Sequence, residues 1–319
     1  MMARETGLDG KLVVLLGGSG FIGRHVAQAL LARGARLRVA SRNPERARAL
    51  KPLANLGQVH FARCDVTRDE QLAAVLSGAD AVVNLVGAFA GDLDRVQGKG
   101  AGRIAAAARD ARASAFVHVS AIGADADSGV DYARTKAEGE EAVLAAFPKA
   151  SVLRPSLVFG PDDQFVNRFA GLLAMLPALP VFAPDAPLQP VHVDDLAEAI
   201  TTALADPASH GGKTFEIAGP EVITMLDLHQ RLAAAQQRER LLIELPDVVA
   251  SAFATLTGWL PGAPITRDQW LLLRAGNVAS GKLPGLKALG LAGKPLGLFL
   301  DRWMVRFRKH GRFGSGARA

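Results

Sequence analysis

Leu12-Val13-Val14-Leu15-Leu16-Gly17-Gly18-Ser19-Gly20-Phe21-Ile22-Gly23 is the stretch from which the rest of the chain can be read. Five apolar residues predict a buried strand, and the amphipathic run Phe21 to Arg33 predicts a helix. Between them stand glycines at i, i+3 and i+6. In that position Gly17 permits a tight turn, Gly20 lets the backbone approach a pyrophosphate, and Gly23 lets helix and strand pack closely. Ser19, Phe21 and Ile22 fill the positions between, at a helix N-terminus that offers N–H donors and a positive dipole end. The placement between strand and helix separates this loop from an ordinary glycine-rich turn and points to a dinucleotide.

The second strand, Ala35 to Arg42, ends in Ala40-Ser41-Arg42-Asn43. A carboxylate there would accept from the 2′-hydroxyl of NAD, and none is present. Arg42 can instead grip a 2′-phosphate with its guanidinium fork, and Ser41 can add a hydroxyl. The reading is NADP(H) in preference to NAD(H), against the alternative of a solvated surface arginine.

Outward from the loop, strands and helices alternate. Strands are predicted at Val59–Asp65, Ala81–Val86, Ala115–Ser120 and Ser151–Leu157, with helices near 69–77, 92–112 and 132–146. Such alternation means a parallel sheet covered on both faces, an α/β Rossmann doubly wound fold. After Gly160 the pattern loosens into a Pro-rich apolar stretch, a short segment Val191–Val193, a helix Asp194–Ala205 and a strand Thr214–Ala218. Residues 1–160 are assigned to a dinucleotide-binding domain. Residues 161–310 form a smaller C-terminal α/β lobe that can complete the sheet, and 311–319 a flexible basic tail.

The chain of 319 residues, 49% hydrophobic and 21% charged, has ample material for a core. Its single cysteine, Cys64, excludes an internal disulfide, and its seven histidines show no metal-ligand spacing, so no metal site is expected. No signal peptide, transit sequence or membrane span is read, which places the protein in the cytoplasm. The net charge of +6 is a C-terminal property: residues 267–319 hold eleven Lys/Arg against Asp268 and Asp301. There Leu296, Leu300, Trp303 and Phe307 follow helical spacing, with Arg302, Arg306 and Lys309 on another face. Two readings stand: an amphipathic helix at an anionic membrane surface or a partner subunit, and a helix capping the domain. No nucleic-acid module accompanies the charge.

Tyr132 is the only tyrosine, and Lys136 lies four residues on, one helical turn away. An ammonium beside a phenol lowers the phenol's pKa toward the range of a general acid or base, and the same lysine can hold ribose hydroxyls. Ser120, in Phe116-Val117-His118-Val119-Ser120-Ala121, can bond the reacting oxygen; a register one residue different puts Ala121 there and removes the contact. His118 is read as a core histidine.

Together these residues resemble the short-chain dehydrogenase/reductase superfamily in its extended and atypical branches. Leu56-Gly57-Gln58-Val59, Asn84-Leu85-Val86-Gly87, His118-Val119-Ser120-Ala121, Arg154-Pro155-Ser156 and Phe159-Gly160 resemble more closely the nucleotide-binding accessory subunits of respiratory complex I. Ile265-Thr266-Arg267-Asp268 and Leu283-Pro284-Gly285-Leu286 extend the likeness. The resemblance implies Asp65 and Val66 at an adenine, Leu85 and Gly87 beside the inner ribose, Lys136 at the nicotinamide ribose and Pro155 near the carboxamide. It also implies a tightly held NADPH without established turnover, and the composition suggests a bacterial homologue.

Three functions follow as expectations. The first is an NADP(H)-binding protein with structural or weakly catalytic use of the cofactor, peripheral on the inner membrane or on a respiratory complex through residues 267–310. The second is an active oxidoreductase or epimerase using Ser120, Tyr132 and Lys136. The third is a redox sensor whose partner contacts follow the cofactor.

Overall fold

The computed structural model describes residues 7–257 and 266–311. Their contacts divide into two compact units, and the chain passes between them more than once. The first holds the described residues up to Pro155, Val193–Ile217 and Ser280–Ala292.

The first unit is built on seven parallel strands. Six are β1 (Leu12–Leu16), β2 (Arg36–Ser41), β3 (Val59–Arg63), β4 (Ala81–Asn84), β5 (Ala115–Val119) and β6 (Ser151–Pro155). The seventh, Thr214–Ile217, pairs with β6, so the sheet takes its edge strand from beyond residue 160. Across the sheet the order is Thr214–Ile217, β6, β5, β4, β1, β2, β3. The order reverses at β1, which lies between β4 and β2, and this opens a crevice at the carboxyl ends of β1 and β4.

Helices α1 (Phe21–Ala32), α2 (Asp69–Leu76), α3 (Lys99–Asp110) and α4 (Asp131–Ala146) connect the strands. Every residue of β4 and β5 is buried, the polar Asn84 and His118 included, as a doubly covered sheet requires. Leu72 and Leu76 of α2 and Ile104, Ala105 and Ala108 of α3 pack with Val14, Val82 and Phe116 into one core. α1 packs with the helix Val193–Ala205, and Arg33 Nη2 bonds Glu198 Oε2 at 2.6 Å between them. Asp194 and Asp195 lie in the first turn of that helix, where they complement its dipole. Local geometry departs from the regular α-helix at two places. Pro44–Leu53 is a 3-10 helix with Pro52 inside it, and 94–98 is a π-turn ahead of α3.

The second unit comprises Ser156–His192, the described part of Ala218–Ala279 and the described residues from Gly293. Its core joins Leu173, Leu228, Leu232, Leu296, Leu300 and Met304, with Phe299, Trp303 and Phe307 packed against it. The basic C-terminal segment is therefore a cap on this core. It forms one short helix, Gly297–Trp303, and a 3-10 turn, Met304–Phe307, rather than one amphipathic helix. The apolar side chains expected at a headgroup boundary are turned inward. Trp303 donates to Asn167 Oδ1 at 2.9 Å and stacks on Phe159, and Arg306 donates to the Pro161 carbonyl at 2.7 Å. Of the basic tail only Gly311 is described. Among the described residues no helix is long and apolar enough to cross a membrane, and no His/Cys/Asp/Glu group could hold a metal.

Candidate cofactor site

Gly17 closes β1 at φ +80°, a conformation that glycine adopts without strain, and donates to the Ala40 carbonyl at 2.9 Å. Gly20 donates to the Gly17 carbonyl at 3.1 Å and caps α1 without a side-chain bond, and no acid stands in the helix's first turn. The first-turn N–H groups are thus left for an external anion. A Cβ on Gly20 would meet only the Gly17 oxygen at 3.4 Å, so its outer face is open to a ligand. Gly23 differs in detail from the sequence expectation. Its Cβ would stand 2.5 Å from Gly18 Cα, so it packs against the loop rather than against a strand. The glycine that meets the strands is Gly18, whose Cβ would lie 2.9 Å from Leu15 and Val39. The helical spacing of Gly17, Gly20 and Gly23 hid this one.

At the ends of β2 and β3 the chain gathers Ser41, Arg42, Asp65 and Val66. Ser41 Oγ is buried and has no hydrogen-bond partner, while the Arg42 side chain is exposed beside it. Asp65 accepts from the Thr67 amide at 3.0 Å and from Thr67 Oγ1 at 2.8 Å, and these bonds hold its carboxyl below the usual range, with Arg42 and Arg68 adding to the effect. Arg42, Arg63, Asp65, Arg68 and Gln71 line a cavity of about 370 Å³. Arg63, Arg68 and Gln71 were not picked out in the sequence, because nothing in their spacing marks them.

The carboxyl ends of β4, β5 and β6 bring the other predicted residues together. Leu85 continues β4, donating to the Leu16 carbonyl at 2.9 Å, and a Cβ on Gly87 would lie 3.2 Å from Lys136 Nζ. Lys136 is buried and donates to the Val119 carbonyl at 3.3 Å. The next residue, Ser120, is buried with Oγ unpartnered. Pro155 ends β6 and accepts from Ile122 N at 2.9 Å. Orphaned hydroxyls at Ser41 and Ser120, with an open glycine face between strand and helix, are what a bound dinucleotide would satisfy. The residues fit the group.

The electrostatics of the Tyr132–Lys136 pair run opposite to the sequence expectation. Tyr132 lies under Phe89, ring centroids 4.6 Å apart and planes at 12°, and burial pushes its hydroxyl up to about 12. Lys136 Nζ is 6.0 Å from the Tyr132 ring, and burial pulls its ammonium down to about 8, against the pull of Glu140. Desolvation outweighs the mutual influence of the pair. His118 is a core histidine, fully buried, held near 3 by burial and then by Lys136, with Nδ1 3.1 Å from Asn84 Nδ2.

The buried lysine has a stability consequence. The fold favours its neutral form and the unfolded chain holds the proton up to 10.5, so stability of the cofactor-free protein rises as pH goes from about 8 to 10.5. Lys136→Met is expected to stabilise the cofactor-free protein at pH 7 by up to about 3 kcal/mol and to flatten that rise. Melting curves across pH 7 to 10.5 check both, and an unchanged pH profile in the variant would refute the assignment.

Two polar connections support the site without being legible in the sequence. Gln97 is buried, accepts from the Ala88 amide at 3.0 Å and donates to Thr135 Oγ1 at 2.9 Å, fastening the loop after β4 to α4. Glu140, one turn beyond Lys136, takes Arg154 of β6 in a two-pronged ion pair, Nε at 2.9 Å and Nη2 at 2.6 Å.

Residues 13–218 match the family model described as NAD dependent epimerase/dehydratase family. The mouse protein named NADH dehydrogenase [ubiquinone] 1 alpha subcomplex subunit 9, mitochondrial is 30% identical over 92% of this chain and 80% of its own length. The Arabidopsis thaliana protein of the same name is 29% identical over 98% and 82%. A ceramide reductase of Caulobacter vibrioides is 29% identical over 78% of each chain. Among solved structures, an NADPH-dependent quinone oxidoreductase of Escherichia coli complexed with NADPH superposes with a TM-score of 0.71 at 18% identity, over 91% of this chain and 99% of that one, a likeness of fold.

Proposed function

The chain belongs to the NAD dependent epimerase/dehydratase family, and we propose that it is an NADP(H)-binding protein that keeps its nucleotide as a largely structural element within a respiratory assembly. The observation that carries this reading is the state of Tyr132. Its ring stacks on Phe89 at 4.6 Å, and Lys136 Nζ stands 6.0 Å from that ring and donates to the Val119 carbonyl instead, so the ammonium is not placed to draw a proton from the phenol. The glycine loop, Ser41, Leu85, Gly87, Lys136 and Pro155 would hold a dinucleotide, and Asp65 and Val66 would border its adenine. The nicotinamide supplies a hydride when bound; the chain's part is to bind it, to orient its ribose through Lys136 and to exclude water. The relatives named as NADH dehydrogenase [ubiquinone] subunits support the choice of assembly, with residues 267–310 proposed as its contact.

Preference for the phosphorylated nucleotide rests on Ser41 and Arg42. Arg42→Ala is expected to weaken NADPH about 30-fold, the loss of a charge-assisted bond, while NADH changes less than about twofold. Calorimetric titration with both nucleotides decides it, and equal losses for both would remove Arg42 from the site.

One observation favours a second reading, an active reductase or epimerase. Ser120 Oγ is buried and unpartnered beside the carbonyl that holds Lys136, the place where a substrate oxygen would be bonded. The two readings separate on turnover. The first predicts that NADPH raises the melting temperature, that no member of a panel of aldehydes, ketones, quinones and nucleotide sugars turns over, and that Tyr132→Phe changes neither result. Turnover that disappears in Tyr132→Phe would establish the second.

A further inference from the structure

The cavity at the ends of β2 and β3 contains a concentration of charge that the pyrophosphate loop does not explain. Arg42, Arg63 and Arg68 surround it, with Asp65 as its single acid. All three arginines are exposed. Their guanidinium groups make no hydrogen bond or ion pair with another described residue. Other arginines of the same unit are engaged: Arg38 on the Val75 and Ser77 carbonyls, Arg33 on Glu198, Arg134 on Asp94, Asp131 and Glu138, Arg154 on Glu140. Asp65 offsets one of the three charges. Its Oδ1 is taken by the Thr67 amide and hydroxyl, and Gln71 Oε1 receives the Asp65 amide at 2.8 Å, so the turn is braced from within. Three cations and one carboxylate leave the cavity two charges positive, the complement of a phosphomonoester dianion.

The strand register brings the trio to the predicted nucleotide. Arg63 is the direct partner of Ser41 across β2 and β3, and partners in a parallel sheet present their side chains on the same face. Ser41 carries the buried hydroxyl without a partner. Arg68 stands one residue before α2, on the turn that Asp65 opens by accepting the Arg68 amide on its carbonyl at 3.0 Å.

We propose that Arg63 and Arg68 are specificity-determining residues that complete, with Arg42, a three-arginine clamp for the 2′-phosphate of the nucleotide. This rests on the NADP(H) reading and extends it. A single exposed arginine gives a modest, salt-screened preference, whereas three free guanidiniums around one cavity give a preference that survives loss of any one.

The test titrates the 319-residue chain and the variants Arg63→Gln and Arg68→Gln with NADPH, NADH, 2′,5′-ADP and 5′-AMP. Glutamine keeps most of each exposed stem, and a melting curve confirms that each variant folds. Each variant is expected to lose about tenfold in affinity for NADPH and 2′,5′-ADP and to hold NADH and 5′-AMP within about twofold. The double variant is expected to lose about a hundredfold for NADPH and to keep only the part of the preference that Arg42 supplies. If the unaltered protein binds NADPH and NADH equally, the NADP(H) reading itself falls. If it prefers NADPH and either single variant keeps full NADPH affinity, the clamp is overturned and the NADP(H) reading stands on Arg42.

Discussion

Gly23→Ala is expected to abolish nucleotide retention. The added methyl would stand 2.5 Å from Gly18 Cα and 2.7 Å from its carbonyl carbon and oxygen, all of them backbone atoms. Neither side can yield cheaply. Gly18 is wedged against Leu15 and Val39, and the loop is pinned by Gly17 to the Ala40 carbonyl at 2.9 Å. The loop must therefore move away from α1, taking with it the N–H groups that would face a pyrophosphate. The expected result is a loss of at least about 100-fold in NADPH affinity and about 1–3 kcal/mol of stability, the range for overpacking a tight contact. Gly20→Ala separates the two effects. Its Cβ meets nothing closer than 3.4 Å, so the fold should be unaffected while the methyl intrudes on the ligand's side. Titration and melting of both variants check this, and a Gly23→Ala protein that binds NADPH normally would sink the account of the loop.

Glu140→Ala is expected to cost about 3 kcal/mol of stability, the low end for breaking a buried pair, because Arg154 is only partly covered. The carboxylate holds both Nε and Nη2 of Arg154, joining α4 to β6 beneath the site. Its removal leaves the guanidinium with Glu216 as its remaining acidic neighbour. Glu140 also opposes the desolvation of Lys136, so the variant's lysine should titrate below its present value of about 8. A melting temperature lowered by several degrees, with weaker nucleotide binding at pH 7, is the expected outcome. A change of less than about 0.5 kcal/mol would mean that the pair is solvated in the working protein.

What could be read from the sequence, and what could not, follows from the range of each signal. The strand-loop-helix at Leu12–Ala32 was legible because apolar period and glycine positions are local properties of adjacent residues. Tyr132 and Lys136 were placed on one helix for the same reason, since four residues are one turn. Their titration was not legible, because it depends on burial and on Phe89, more than forty residues earlier in the chain. Arg42 stood out because a missing acid at a strand end is a local fact, whereas Arg63 becomes its neighbour only through the β2–β3 register. The basic C-terminal segment shows the limit most clearly. Its apolar spacing was read correctly, yet spacing cannot say what the apolar face meets, and in the fold Leu296, Leu300 and Met304 meet their own core.

The central claim is that this protein holds NADP(H), and native mass spectrometry of the purified 319-residue chain tests it most directly. The account predicts a folded species carrying one NADP(H), lost when Gly23 is replaced by alanine. A species carrying NAD(H), or a protein free of nucleotide that fails to take up added NADPH, would contradict it.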